Sequence, residues 1–216
     1  MRVIGTVGLP GSGKGEAAAV AREVGVPVVT MGDVVRDACR ERGLDPEEHH
    51  GRVARQLREE DGPTAIADRT VPRVREHVDA GVSVVLVDGV RSDVEVERFR
   101  AAFDFLLVTV RAPFETRARR LRGRGRDRSD LDRASVIERE ERELDFGMGE
   151  AMAMADVVVE NDADLETYRR RVRTILDDPA GVLAGDHDLQ GVVVRPGPER
   201  ARPNRSYVES GRGGPS

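Results

Sequence analysis

The chain has 216 residues, 38% hydrophobic and 35% charged, with a net charge of −5. This length can bury one substantial core, and the mildly acidic balance argues against a protein that coats nucleic acid. The single cysteine, Cys39, excludes an internal disulfide and a cysteine-based metal site. The sequence shows neither a membrane-spanning apolar stretch nor the pattern of a signal peptide, so we expect a cytoplasmic protein.

Predicted strands alternate with predicted helices along most of the chain. Apolar, β-branched runs predict strands at 3–7, 26–31, 83–87, 105–110 and 156–159. Periodic or charged stretches predict helices at 16–24, 33–42, 47–60, 64–80, 92–102, from about 113, at 132–144 and at 164–176. This alternation predicts an α/β fold with a five-stranded, mostly parallel sheet flanked by helices.

The composition changes after Pro179, where glycine, proline and arginine become frequent. Apolar periodicity is lost there, apart from the run Gly191-Val192-Val193-Val194. We therefore expect a folded domain at 1–178, followed by a flexible tail at 179–216.

A glycine-rich loop, Gly8-Leu9-Pro10-Gly11-Ser12-Gly13-Lys14-Gly15, contains the only lysine of the chain, and the other 34 basic residues are arginines. An ammonium is a compact point charge, whereas a guanidinium is a broad fork, so a loop wrapped around a polyphosphate favours lysine. A loop of this kind between a strand and a helix is typical of the Walker A motif of P-loop NTPases. We predict nucleotide contacts from Gly8, Leu9, Pro10, Gly11, Ser12, Gly13, Lys14, Gly15 and Glu16.

The last position of this motif departs from the usual pattern, because Gly15 stands where a Ser or Thr hydroxyl would hold Mg²⁺. A carboxylate that could hold the metal in place of this hydroxyl follows the third predicted strand, in Asp88-Gly89-Val90-Arg91. Carboxylates at the carboxyl ends of parallel strands face the ligand crevice, so we predict that Asp88 holds Mg²⁺, through water. The alternative is a solvated turn aspartate.

Asp33 and Arg36 lie three residues apart at the start of a predicted helix, in Met31-Gly32-Asp33-Val34-Val35-Arg36. This spacing puts both side chains on one helix face, where they could share a ligand. The alternative is a helix-start aspartate beside a solvent-exposed arginine.

A run of arginines covers every face of the helix that begins near Pro113 and extends beyond it. Its members are Arg117, Arg119, Arg120, Arg122, Arg124, Arg126 and Arg128. One interpretation is a short lid that closes guanidinium groups over a transferring phosphoryl group. A nucleic-acid surface is the rival, although no aromatic residues are interleaved for base stacking. A third interpretation pairs several arginines with the acidic residues at 138–143.

Three other residues are weaker candidates. His49 and His50 are adjacent on a polar helix with no third ligand in view, so a metal site is not favoured. Asn161 follows the last predicted strand, where it would line a base pocket or serve as a turn residue.

Taken together, these motifs resemble those of the nucleoside monophosphate kinases, adenylate kinase in particular. The glycine loop resembles that family's phosphate loop, which also places Gly after the lysine and manages Mg²⁺ largely through water. The segment from Met31 to Arg36 is similar to Thr-Gly-Asp-x-x-Arg, whose arginine grips the acceptor's phosphate. Asp88-Gly89-Val90-Arg91 resembles Asp-Gly-Phe-Pro-Arg, shortened by one residue.

The likeness continues in the second half of the chain. Arg120-Leu121-Arg122-Gly123-Arg124 resembles the lid-entry arginine pair, and Arg139 or Arg142 matches a later catalytic arginine. The chain departs from the pattern at Met31, at Glu16 and in its very short lid. The segment 155–165 instead resembles dephospho-CoA kinase, and the whole pattern is similar to an archaeal family of nucleotide-kinase-like P-loop proteins.

The resemblance implies an ATP-dependent phosphotransferase (EC 2.7) that uses Mg²⁺ and acts on a nucleotide or another small phosphorylated acceptor. The alternatives are a dephospho-CoA kinase-like activity and a regulatory or RNA-linked P-loop ATPase. A helical insertion at about 33–80 would bind the acceptor, and residues 117–135 would form the lid. We expect no membrane partner. The predicted catalytic residues are Lys14, Asp33, Arg36, Asp88, Arg91, Arg120, Arg124 and Arg126.

Overall fold

The computed structural model describes residues 2–124 and 133–195, and one sheet forms its centre. The strands run in the order β2-β3-β1-β4-β5-β6. The first five of these are parallel, whereas β6 runs antiparallel to β5. The strands are β1 (Arg2–Val7), β2 (Val28–Thr30), β3 (Val84–Asp88), β4 (Phe105–Arg111), β5 (Val157–Glu160) and β6 (Val192–Val194).

Helices cover both faces of the sheet. One face packs against α2 to α5 and α8, and the other packs against α1, α9 and α10. The helices of the first face are α2 (Met31–Glu41), α3 (Pro46–Asp61), α4 (Ala65–Asp79), α5 (Asp93–Ala102) and α8 (Gly149–Ala153). The remaining helices are α1 (Lys14–Glu23), α6 (Phe114–Arg124), α7 (Arg133–Glu143), α9 (Leu165–Asp177) and α10 (Pro179–Ala184).

The central strands are apolar at successive positions because both of their faces are buried. In β4, Phe105 and Leu107 enter the core on one side of the sheet, while Leu106 and Val108 enter the core on the other. Side chains alternate between the faces of a strand, so a strand covered on both faces needs an uninterrupted apolar run. The predicted α/β class and mostly parallel sheet are thereby confirmed.

The predicted number of strands was one too few. Residues 179–195, assigned from the sequence to a flexible tail, include α10 and β6. Asp178 caps α10, since its Oδ1 accepts a 2.9 Å hydrogen bond from Gly181 N. The run Val192–Val194 pairs with β5 along its edge. A three-residue strand is too short for periodicity to reveal, and only its β-branched composition indicated it.

The helix predicted at 132–144 corresponds to α7 (Arg133–Glu143), but the chain stays helical beyond it. A π-helical turn (Leu144–Met148) follows α7 and leads directly into α8, which was not predicted. Gly147 has a φ of 95° in this turn, and a Cβ there would lie 3.2 Å from the Cβ of Ser92. Within the two described ranges, no helix is both long and apolar enough to cross a membrane.

Candidate active site

A cleft of about 710 Å³ opens where the carboxyl ends of β1 and β3 meet the start of α2. The glycine loop forms one wall, and the cleft-facing side of α3 lies among the other walls, together with α7 and the π-helical turn. Among the residues that the structure describes, seven cationic side chains line the cleft: Lys14, Arg36, Arg55, Arg58, Arg91, Arg139 and Arg142. Three carboxylates line it with them: Asp88, Glu95 and Glu143. The cleft therefore carries a net positive charge that suits polyanionic ligands.

The glycine loop connects β1 to the N-terminus of α1. A Cβ on Gly8 would lie 2.5 Å from the carbonyl oxygen of Val110, so only glycine allows this close approach. The helix begins at Lys14, and the first amides of a helix have no carbonyl partner of their own. Those amides and the helix dipole make the loop a site for anions such as phosphate.

Lys14 lies across the loop. Its Nζ donates a hydrogen bond to the carbonyl oxygen of Gly8 and another, 3.3 Å long, to that of Leu9. Burial lowers the pKa of Lys14 to about 8, although the negative charge of Asp88 acts in the opposite direction. An anion in the loop would offer the ammonium a charged partner in place of two neutral carbonyls.

Asp88, at the end of β3, lines the cleft near Lys14. The hydroxyl of Thr6 on β1 donates a 3.1 Å hydrogen bond to its Oδ1 and so holds the carboxylate in place. No group of three or more His, Cys, Asp or Glu residues suited to a metal ion occurs among the described residues. An isolated carboxylate fits a cation that is already bound to nucleotide phosphates and water, which is how Mg²⁺ commonly binds.

Gly15 and Glu16 occupy positions where the usual motif offers groups to the metal and nucleotide. A Cβ on Gly15 would meet no atom within 4 Å, and the glycine leaves no hydroxyl there. Glu16 forms a 2.5 Å ion pair with Arg169 of α9 and does not line the cleft. The hydroxyl Oγ of Ser12 is buried, and it has no hydrogen-bond partner within the parts of the chain that are described.

Three side chains bind the loop from the side opposite the cleft. Asn161 Nδ2 donates to the carbonyl oxygen of Ser12 at 2.7 Å, and Tyr168 Oη donates to that of Gly13 at 3.0 Å. Arg120 donates to the carbonyl oxygens of Ser12 at 3.3 Å and Asn161 at 3.3 Å. The predicted lid arginine thus contacts the back of the phosphate loop, and Tyr168 was not predicted at all.

Asp33 and Arg36 are brought together as their spacing predicted. Arg36 Nη2 lies 2.5 Å from Asp33 Oδ1. Arg36 lines the cleft, whereas Asp33 is exposed and is absent from its walls. An acceptor in the cleft would therefore meet Arg36, with Asp33 behind it.

Arg91 also lines the cleft, and its guanidinium forms a 2.9 Å ion pair with Glu143 at the end of α7. No local pattern indicated this pairing, which joins the segment after β3 to α7. Of the predicted catalytic residues that the structure describes, those that line this cleft are Lys14, Arg36, Asp88 and Arg91.

Helix α3 contributes a set of residues that was not predicted to line a nucleotide or acceptor site, although His50 had been considered as a metal ligand. His50, Ala54 and Arg58 follow each other at intervals of four along its cleft side, with Arg55 beside them. The i, i+4 spacing was the available signal, but the helix is so polar overall that no face stood out. Burial lowers the pKa of His50, and the positive charge of Arg91 adds to this effect.

The arginines of the run differ in burial and in their partners. Arg117 is buried and pairs with Glu140, and its Nε donates to the carbonyl oxygen of Ala112 at 3.0 Å. This pairing with α7 agrees with the third interpretation of the run. Arg119 and Arg122 are exposed, and α6 ends at Arg124. Arg126 and Arg128 lie outside the described residues, as does much of the predicted lid.

Comparison with known proteins agrees with this architecture. A family model described as an AAA domain matches residues 7–138. A UPF0200 protein of Halobacterium salinarum is 51% identical over 192 residues, which is 87% of this chain and 100% of the relative. The chain belongs to the UPF0200 family. This membership confirms the predicted resemblance to an archaeal protein family.

Solved structures of other proteins share this fold. A gluconokinase from Sinorhizobium meliloti matches with a TM-score of 0.51 at 17% identity, covering 85% of this chain and 96% of that one. The TT1252 protein of Thermus thermophilus matches with a TM-score of 0.54 at 24% identity, covering 83% and 98%. At these identities the likeness establishes the fold.

Proposed function

We propose that this protein is an ATP-dependent phosphotransferase that moves the γ-phosphate to a nucleotide or another small phosphorylated acceptor. The observation that carries the proposal is one cleft with a phosphate loop on one side and acceptor-sized space lined by arginines on the other. The kinase fold of its structural neighbours agrees with this chemistry.

The loop side of the cleft suits the nucleotide. The amides at the start of α1 would bind the phosphates, and Lys14 would leave the carbonyl oxygens of Gly8 and Leu9 for the β- and γ-phosphates. Asp88, fixed by Thr6, would hold Mg²⁺ through its water shell. When bound, Mg²⁺ neutralises part of the charge that the phosphates carry.

The opposite side suits an anionic acceptor. Arg36 and Arg91 would clamp its phosphate, since a guanidinium offers two parallel donors to such a group. Of the described residues that line the cleft, the cations exceed the carboxylates by four. Magnesium-bound ATP and a phosphomonoester each carry about two negative charges near neutral pH, so the pair would balance that excess.

Phosphoryl transfer needs positioning and charge neutralisation more than it needs a covalent nucleophile. An acceptor oxygen would bond to the γ-phosphorus while the bond from that phosphorus to the β,γ-bridging oxygen breaks, and ADP would leave. Arg139 and Arg142 line the same cleft and are placed to stabilise the charge of the transition state. The roles predicted for Arg124 and Arg126 remain part of this proposal.

The test is a transfer assay with MgATP and a panel of acceptors. The panel contains AMP, GMP, CMP, UMP, dephospho-CoA and shikimate, with separate reactions that contain RNA or no acceptor. We expect one phosphorylated acceptor to give product in stoichiometric amounts with ADP, measured by mass spectrometry. Slow ADP formation that ignores every acceptor, or hydrolysis stimulated by RNA, would contradict the proposal.

Lys14→Met tests the loop itself. We expect transfer to fall by at least about 100-fold, because the substitution removes the only ammonium at the phosphates. Arg40→Ala is the matched control, since Arg40 is exposed and pairs with Asp37 away from the cleft. Full activity in Lys14→Met would show that the phosphate loop has been assigned wrongly.

A further inference from the structure

Side chains from other segments donate hydrogen bonds to the carbonyl oxygens of Ser12 and Gly13 in the phosphate loop. A trans peptide directs its N–H opposite to its C=O, so a loop that turns amides toward a phosphate turns carbonyls toward the protein. Ser12 and Gly13 are buried, and a buried carbonyl without a partner is costly. The donors that meet these carbonyls therefore influence the amides on the other side.

Tyr168 and Asn161 are two of these donors, and both are almost completely buried. Tyr168 Oη lies 3.0 Å from the carbonyl oxygen of Gly13, and Asn161 Nδ2 lies 2.7 Å from that of Ser12. A Cβ on Gly13 would lie 2.2 Å from Asn161 Nδ2 and 3.3 Å from the Tyr168 ring. The glycine is required for this approach, and the two side chains fill the space that it leaves.

Each of these carbonyls shares a peptide group with an amide of the nucleotide wall. The carbonyl of Ser12 belongs to the same peptide as the amide of Gly13, and the carbonyl of Gly13 belongs to that of Lys14. Gly13 and Lys14 both line the cleft. A hydrogen bond to a carbonyl polarises its peptide and strengthens the amide as a donor.

We propose that Tyr168 and Asn161 are positioning residues that set the affinity of the phosphate loop, by fixing and polarising the amides of Gly13 and Lys14. The inference rests on the nucleotide-binding half of the proposed function. Helix α9, which carries Tyr168, would then control how tightly the loop holds polyphosphate. Tyr168 would do so through the Gly13 carbonyl, with no contact to the ligand.

Tyr168→Phe tests the role with little disturbance, because it removes one oxygen and leaves the ring. The Gly13 carbonyl keeps the amides of Glu16 and Ala17 as donors, at 3.0 and 3.1 Å, so the start of α1 should persist. We expect affinity to fall about fivefold for MgATP and equally for inorganic tripolyphosphate, measured by calorimetry. Asn161→Ala should weaken both ligands in the same way.

A structural role alone would lower thermal stability without these effects. Thr70→Val is the matched control, since it removes a buried hydroxyl that donates 2.7 Å to Ile66 O in α4, away from the loop. It should leave both affinities unchanged. In the ligand-free protein, the amide proton resonances of Gly13 and Lys14 should move upfield in Tyr168→Phe but not in Thr70→Val.

The outcomes separate this inference from the proposed function. Wild-type affinities in Tyr168→Phe would overturn the positioning role, even if the variant melts earlier. Weaker binding of MgATP with unchanged binding of tripolyphosphate would also overturn it, because the residue would then act on the nucleoside. Wild-type protein that binds both ligands but phosphorylates no acceptor contradicts the proposed function alone, and protein that binds neither contradicts both.

Discussion

Arg58 and Glu95 form an ion pair across the floor of the cleft, with Arg58 Nη2 3.1 Å from Glu95 Oε1. The second carboxylate oxygen of Glu95 accepts a 2.9 Å hydrogen bond from the backbone amide of Arg91. One buried carboxylate thus connects α3 to the segment after β3. It fixes the Arg58 side chain and the Arg91 backbone, and both residues line the cleft.

Arg58→Ala should destabilise the protein strongly. The Glu95 side chain is only 1% exposed, so removing its cationic partner leaves a buried charge that keeps its hydrogen bond to the Arg91 amide but has lost its ion pair. We expect the free energy of unfolding to fall by about 3 kcal/mol in urea denaturation. Arg40→Ala removes an exposed pair and should cost less than about 1 kcal/mol, and equal losses in the two variants would contradict the prediction.

Gly13→Ala and Gly15→Ala should change stability in opposite directions although both lie in the glycine loop. At Gly13 the φ is 122° and a Cβ would lie 2.2 Å from Asn161 Nδ2, so alanine should cost about 2 kcal/mol or more. At Gly15 a Cβ meets nothing within 4 Å, and alanine should stabilise the helix start by about 0.5 kcal/mol. Urea denaturation measures both, and a stable Gly13→Ala variant would contradict the geometry of the loop.

The affinity for tripolyphosphate should fall as the pH rises above about 8. The pKa of Lys14 is lowered to about 8 by burial, so the ligand-free protein loses that proton as the pH passes this value. A polyphosphate favours the charged ammonium and raises its pKa on binding, which makes binding take up protons.

Calorimetry at pH 8 in buffers of different ionisation enthalpy measures this uptake. We expect about half a proton for the wild type, and a decline in affinity approaching tenfold per pH unit above that pH. Lys14→Met should show no such uptake. Uptake that persists in Lys14→Met would assign the proton to another group.

Glu143→Gln should strengthen the binding of inorganic phosphate. Glu143 holds Arg91 at 2.9 Å and adds negative charge to the cleft, so it competes with an incoming anion. Neutralising it should raise phosphate affinity by about threefold or more, followed by NMR titration. Stability should change little, because the Arg91 side chain is 47% exposed.

Glu115→Gln serves as the control for this prediction. It neutralises an exposed partner of Arg133, outside the cleft walls, and should leave phosphate affinity unchanged. Equal phosphate affinities in the wild type and Glu143→Gln would show that the carboxylate does not oppose anion binding.

The sequence predicted the parts of the fold that local patterns specify. The glycine loop and the buried strands follow from residue type and spacing alone, and the structure contains both. At the start of α5, Ser92 Oγ accepts a 3.4 Å hydrogen bond from Glu95 N, which is one half of a capping box. The Glu95 carboxylate accepts from the Arg91 amide, whereas a capping box would return it to the Ser92 amide.

The rest of the candidate site depends on contacts between distant segments. Tyr168 reaches Gly13 across 155 positions, and Arg58 reaches Glu95 across 37. Neither residue belongs to a local motif. Tyr168 looks like an ordinary apolar position of an amphipathic helix, and Arg58 is one of many charged residues on a polar helix. Arg120 does belong to a motif, but the direction of its side chain is set by Ser12 and Asn161.

Strand β6 determines where the chain can be truncated for experiments. A boundary after Asp178 looks natural from composition, yet it would expose the edge of β5 to pairing with other chains. It would also remove Arg195, whose Nη1 donates to the carbonyl oxygens of Met152 and Ala153 near the end of α8. Shortened versions should therefore retain residues through Arg195, or the preparation will lose solubility before its chemistry can be measured.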